Sequence, residues 1–173
     1  MTLNTRAGDS PSKVGKLQAL TSLRPSLAGG LVVFALVLAA AGTAIAAYLA
    51  YENVQGETGV CTVVHGCATV QKSSYGKIVG IPVSVPGLAL YLGLTAGAVA
   101  WLRGLGGRRD EISLLASAGA SFGLLFSGYL TYVEAFVLDA WCIYCIVSAL
   151  LLTLLTAAWL AVLGLALRAR REG

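Results

Sequence analysis

Asp139-Ala140-Trp141-Cys142-Ile143-Tyr144-Cys145 opens an uncharged run that continues to Leu167 and ends at Arg168. About 20 helical residues cross the hydrocarbon of a bilayer, so this run is long enough to span one. Asp139 has the side chain of an N-cap, which predicts that the helix starts beside it. The two thiols then fall on one face, at i and i+3, where unpaired N–H groups and the positive end of the helix dipole favour a thiolate. The charge of Asp139 opposes this. A Cys-x-x-Cys pair at the mouth of a membrane helix is the feature around which the other segments are read.

Working outward, charged residues bracket three more such runs. Arg24 and Glu52 flank residues 25–51, Lys77 and Arg103 flank 78–102, and Glu111 and Glu134 flank 112–133. A chain that is 57% hydrophobic and 12% charged, with a mean hydropathy of +0.81, has more apolar surface than one soluble core can hide. These features predict an all-α membrane protein: a bundle of four transmembrane helices whose long first external loop holds a short helix. The expected spans are about Leu27–Ala50, Pro86–Leu102, Ile112–Val133 and Ala140–Leu167.

Formal charge is +4, but its placement matters more than its size. Arg6, Lys13, Lys16, Arg24, Arg103, Arg108, Arg109, Arg168, Arg170 and Arg171 fall on one side of the four-span topology, and only Lys72 and Lys77 on the other. Basic loops stay in the cytoplasm. The expected location is therefore the cell inner membrane, with both termini cytoplasmic and all four cysteines on the extracytoplasmic side, an oxidising setting. No partner role for nucleic acid follows from this charge.

Residues 1–25 read as a disordered cytoplasmic tail, 26–168 as the four-helix membrane domain and 169–173 as a second cytoplasmic tail. The small residues Ala39-Ala-Ala-Gly-Thr-Ala-Ile-Ala46 would suit a signal-peptidase site. The polar region before them is long, however, and the apolar run passes through them, which favours an uncleaved first span. Gly93-x-x-x-Gly97 and Gly119-x-x-x-Gly123-x-x-x-Ser127 predict close helix packing. With Glu134 taken as a boundary, no span holds an ionisable group, which argues against a proton path through the centre.

The loop from Tyr51 to Pro86 is long for a compact bundle, and such loops are usually functional. Cys61 and Cys67 enclose five residues and can close as a disulfide. Ala68–Tyr75 is expected to form a short helix across the bundle mouth, with Gly80, Pro82 and Pro86 returning the chain to the second span. Two thiols on a mobile loop and two at a helix start suit a relay, in which disulfide exchange moves two electrons per step. Three other readings stand beside it. The cysteines can form static braces, although an i, i+3 bridge closes too small a loop to stabilise much. Cys61, His65, Cys67, Cys142 and Cys145 can supply a tetrahedral zinc set, although they lack paired knuckles. Ser73, Ser74 and Tyr75 can bind a ligand or merely cap the short helix.

In order along the chain, Cys61-x5-Cys67, Ser73, Gly80-Ile-Pro82 and Cys142-Ile-Tyr-Cys145 resemble the vitamin K epoxide reductase homologues over about Leu27–Leu167. In the related DsbB-type oxidases the order of the two cysteine pairs is reversed. The resemblance implies a quinone cofactor, ubiquinone or menaquinone, and a catalytic set of Cys61, Cys67, Cys142 and Cys145. Cys61 would form the mixed disulfide with a DsbA-like thioredoxin-fold partner, Cys67 would exchange with Cys142, and Cys145, with Ser73, would contact the quinone.

This chain departs from the animal members at Ala149, where they carry tyrosine, and in lacking an asparagine in its second span. These departures turn the expectation from epoxide reduction, the alternative within the family, toward thiol oxidation. Many bacterial relatives carry a fused thioredoxin domain. The chain ends at Gly173, so the expected partner is a separate protein.

Overall fold

A computed structural model describes residues 11–55, 67–78 and 80–172. Five α-helices, α1 (Pro11–Val54), α2 (Cys67–Lys72), α3 (Ser84–Leu102), α4 (Arg109–Phe136) and α5 (Ile143–Glu172), make up almost all of it. Among the described residues the sheet is a pair of two-residue antiparallel strands, β1 (Lys77–Ile78) and β2 (Ile81–Pro82), with Gly80 between them at φ +83°. Left-handed backbone of this kind is open to glycine without steric cost. Four helical segments are long and apolar enough to span a membrane: Ser26–Val54, Ser84–Leu102, Arg109–Phe136 and Ile143–Arg171.

These four spans form a closed ring. α1 lies against α3 and α5, and α4 lies against α5 and α3, with α3 and α4 making the sparsest contact of the neighbouring pairs. Along α4 the buried residues are small or polar, among them Ser113, Ala116, Ser117, Ala120 and Gly123. Its large apolar residues, including Leu115, Phe122, Leu125 and Phe136, face outward. In water this distribution would be unstable, whereas lipid accepts the outer face and small residues let helices approach. The buried hydroxyls of α4 are satisfied within the helix, Ser117 donating to the Ser113 carbonyl at 2.7 Å and Ser113 to that of Arg109 at 2.8 Å.

Close approach is set by glycines that only partly match the predicted motifs. A Cβ at Gly123 would meet Leu90 Cδ2 at 2.5 Å and Leu152 Cδ2 at 3.0 Å, so this glycine admits α3 and α5 side chains to α4. Gly93, by contrast, has nothing within 4 Å of a built Cβ, and its motif does no packing on that side. The tightest position is Gly42 on α1, where a Cβ would lie 2.3 Å from Tyr91 Cε1. Ala46 stands four residues on, but small residues recur so densely along Ala39–Ala47 that spacing does not single Gly42 out.

Three further expectations change. Helix α1 begins at Pro11, inside the segment expected to be a disordered tail; Lys13, Leu17, Gln18 and Ala19 are good helix formers, and Pro11 is tolerated in a first turn. Asp139 does not cap the last helix: it is exposed, with φ +44°, in the connector after α4. Short polar side chains tolerate that conformation, which reverses the chain, and α5 starts four residues later. Finally, Glu134 is not a boundary residue. α4 runs on to Phe136, and Glu134 is 1% exposed inside the bundle.

Candidate active site

The connector between α4 and α5 is folded around Glu134. Its backbone carbonyl accepts the Ala140 N–H at 3.1 Å, and its side-chain Oε2 accepts the Cys142 N–H at 3.1 Å. These bonds draw Cys142 back beside α4 and place it at the N-cap position of α5, where its carbonyl takes the Ile146 N–H at 3.1 Å. Cys145 follows one turn later. The Glu134 carboxylate and the two sulfurs all lie within 4.8 Å of one another. Both cysteines are free thiols, Cys142 buried and Cys145 half-buried.

An N-cap side chain accepts from the N–H groups of the first turn, and here sulfur does the accepting. Cys142 sulfur is hydrogen-bonded by the Cys145 thiol and by the backbone N–H groups of Cys145 and Tyr144. The bond from the Cys145 thiol does most to hold Cys142 below the ordinary thiol range, against burial and the nearby Glu134, which push it up. The sequence left the sign of this shift open; it is downward for Cys142, which takes the cap position in place of Asp139.

Across the bundle mouth lies α2, as expected for Ala68–Tyr75. It is a one-and-a-half-turn helix followed by a 3-10 turn at Ser74–Gly76. Val70 of α2 is buried on Cys142, in a cluster that includes Leu138, Ile143 and Tyr144. Cys67 is the first residue of α2, three positions before Val70; its side chain, together with all of Cys61 and His65, lies outside the described residues. Ser73 sits at the end of α2, where its hydroxyl donates to the Val70 carbonyl at 2.7 Å and accepts the Gly76 N–H at 3.2 Å. It caps the 3-10 turn and is not among the cavity-lining residues. Tyr75, from the same turn, does line the cavity.

Beneath α2 is a cavity of about 280 Å³, bounded by all four spans and by α2. Cys142, Cys145 and Glu134 form part of its wall. Most of the lining is aliphatic or aromatic, with Leu90 on α3 and Phe122, Phe126 and Leu130 on α4 flanking the loosest seam of the ring. Phe122 both lines the cavity and is exposed on the outer face of α4.

Polar groups enter at few points. Tyr91 hydroxyl lies 2.9 Å from Ser148 Oγ and donates to the Ser148 carbonyl at 3.3 Å. Asn53 donates to the Leu49 carbonyl at 2.8 Å. Gln71 presents a buried amide with no partner for either its nitrogen or its oxygen.

The sequence reading missed Tyr91, Ser148, Gln71 and Glu134. Tyr91 and Ser148 sit amid apolar helix residues with no spacing signal. A charge at the end of an apolar run, such as Glu134, was read as a boundary.

A dithiol in the wall of an apolar slot enclosed by four membrane-length helices defines a class, the membrane dithiol redox proteins. Within it, the chain matches the model of the vitamin K epoxide reductase family over residues 33–165, and it belongs to that family. Members are quinone-dependent thiol oxidoreductases, and this chain is a multi-pass membrane enzyme of that kind.

Proposed function

We propose that the chain oxidises a thioredoxin-fold, DsbA-like protein and passes the electrons to a membrane quinone, supporting disulfide formation outside the cytoplasm. Electrons enter at Cys61 and Cys67, move to Cys142 by exchange with Cys67, and leave from Cys145. The observation that carries this reading is the placement of Cys142 and Cys145 in one cavity wall, beneath a short helix that begins at Cys67.

The cavity fits a quinone ring. Its volume is near the lower bound of about 300 Å³ for small-molecule sites, and apolar walls with a few fixed polar groups are their usual make-up. A buried amide without partners, such as Gln71, is costly unless a ligand satisfies it, and a carbonyl can accept from its nitrogen. Tyr91 of α3, held by Ser148, presents a hydroxyl at the wall, beside the turn of α5 that carries Ala149. Bound there, a quinone supplies a two-electron, two-proton acceptor. Ubiquinone and menaquinone are both candidates, and the seam between α3 and α4 gives an isoprenoid tail its way out.

Each residue of the chain then has a defined part. Cys142, its thiol held below the ordinary range in the first turn of α5, is the sulfur that exchanges with Cys67. Val70 keeps water from it. Cys145 closes on Cys142 as the electrons leave. Ser73 contributes by fixing the turn that seats Gln71 and Tyr75 on the cavity. The distribution of basic residues places both termini in the cytoplasm and α2, with the cysteines, on the opposite side.

The test is partner oxidation by single variants. Cys61→Ser blocks oxidation of a reduced DsbA-like protein but leaves the reduced Cys142–Cys145 pair able to reduce quinone. Cys145→Ser stops quinone reduction and accumulates a Cys67–Cys142 bridge. Equal activity of both variants in both assays contradicts the relay.

A further inference from the structure

Glu134 is the costliest side chain in the bundle that the relay leaves without work. It is 1% exposed, and Oε2 is occupied by the Cys142 N–H, but Oε1 is buried with no hydrogen-bond partner. Buried unsatisfied oxygens are rare in native proteins, and each one calls for a cause. If Glu134 served only to hold the connector, Oε2 and the backbone carbonyl would suffice, and a glutamine would do the same with less penalty. No Lys or Arg among the described residues forms an ion pair with it. The titratable groups facing it are Cys142 and Cys145 of α5, and the carboxylate and both sulfurs lie within 4.8 Å of one another. The other elements around it contribute the neutral Gln71 and Asn53 to the shared cavity.

Resting on the relay reading, we propose that Glu134 is the base that takes the proton of the Cys145 thiol when the Cys142–Cys145 disulfide closes. The chemistry requires one. In the forward direction a Cys67 thiolate opens the Cys142–Cys145 disulfide and Cys61 then displaces Cys142 from Cys67, which leaves Cys142 and Cys145 as a reduced pair. When that pair closes, its S–S bond forms, the Cys145 S–H bond breaks, and two electrons pass to the quinone, which takes up two protons. Sulfur is nucleophilic as the thiolate, so the proton of Cys145 must be taken by a base. Cys145 is half-buried in the wall of an apolar slot, where little water is at hand to take the proton. Glu134 Oε1 is the one unpartnered carboxylate oxygen beside it, within reach directly or through one water. The proton held there is available to complete the hydroquinone.

The test uses the full-length protein in detergent, with Cys61 and Cys67 changed to serine, and a pyridyl disulfide as oxidant in place of quinone. Cys142 attacks the reagent and releases a first thiopyridone. Cys145 then attacks the Cys142 adduct and releases a second. Glu134→Gln keeps an oxygen for the Cys142 N–H but has no base. It is expected to leave the first release no slower and to slow the second by roughly 100-fold, the low end of the usual contribution of a positioned base. Glu134→Asp is expected to recover part of the second rate, and the slowing to shrink as pH rises and hydroxide replaces the missing base. Equal slowing of both releases, or two releases at wild-type rates, overturns the proposal. Because no quinone is present, that failure is distinct from failure of the relay, which shows as undiminished quinone reduction by Cys145→Ser.

Discussion

Gly42→Ala tests the cavity wall at its tightest point. The added methyl would sit 2.3, 2.4 and 2.7 Å from Cε1, Cδ1 and Cζ of Tyr91. Carbon atoms rest about 3.5–4.0 Å apart, so the ring must retreat by about 1.2–1.7 Å or α1 and α3 must part. Overpacking of this kind costs about 1–3 kcal/mol. A retreat of that size also takes the Tyr91 hydroxyl, now 2.9 Å from Ser148 Oγ, beyond bonding range, at about 0.5–1.5 kcal/mol more. Thermal unfolding in detergent should therefore show a loss of about 2–4 kcal/mol, read through a denaturation series. Quinone KM should rise with it, while the rate of Cys142 alkylation in the reduced protein stays unchanged. The same change made in a Tyr91→Ala background should cost much less, since the three nearest contacts are all with that ring. A full penalty there, or none in the parent, refutes the packing argument.

Other consequences can be measured separately. Ultraviolet thiolate absorbance of the reduced protein, with Cys61 and Cys67 replaced by serine, should show Cys142 ionising below the ordinary thiol value of about 8.5. Because the Cys145 thiol is the largest contributor to that lowering, Cys145→Ala should move the midpoint upward. An unchanged or lower midpoint would show that the capping N–H groups alone set it. Ser73→Ala should cost about 1 kcal/mol through the lost cap and should raise protease sensitivity of the α2 segment. Ser73→Thr, which keeps the hydroxyl, should stay near wild type; a loss of quinone affinity in Ser73→Ala without loosening of α2 would give Ser73 a direct ligand contact instead. Gln71→Leu should stabilise the protein without quinone and weaken quinone binding, as expected when an unsatisfied amide is the recognition group.

Much of the fold is legible in composition and charge placement, because lipid imposes one rule on every residue of a span. The four helices fall where uncharged runs bracketed by charges place them, and the short helix after Cys67 lies over the mouth. What the pattern hides is chemistry that violates the rule. Glu134 was taken for a border because charges normally mark borders. Its burial becomes visible only once Oε2 is seen holding the Cys142 N–H. Asp139 reads as a cap by side-chain type, but local reversal of the backbone competed for it and a sulfur took the cap. Gly42 matters through one ring on another helix, a pairing that no linear spacing encodes. The cysteine pair was legible because two thiols three apart at a helix start have few other uses.

The most direct test of the account is thiol counting on the reduced protein, carrying Cys61→Ser and Cys67→Ser, after anaerobic addition of a short-tailed quinone. The account predicts that Cys142 and Cys145 are lost together as one disulfide, with one hydroquinone formed for each pair. Hydroquinone formed while both thiols remain free, or thiols that stay reduced with quinone in excess, would contradict it.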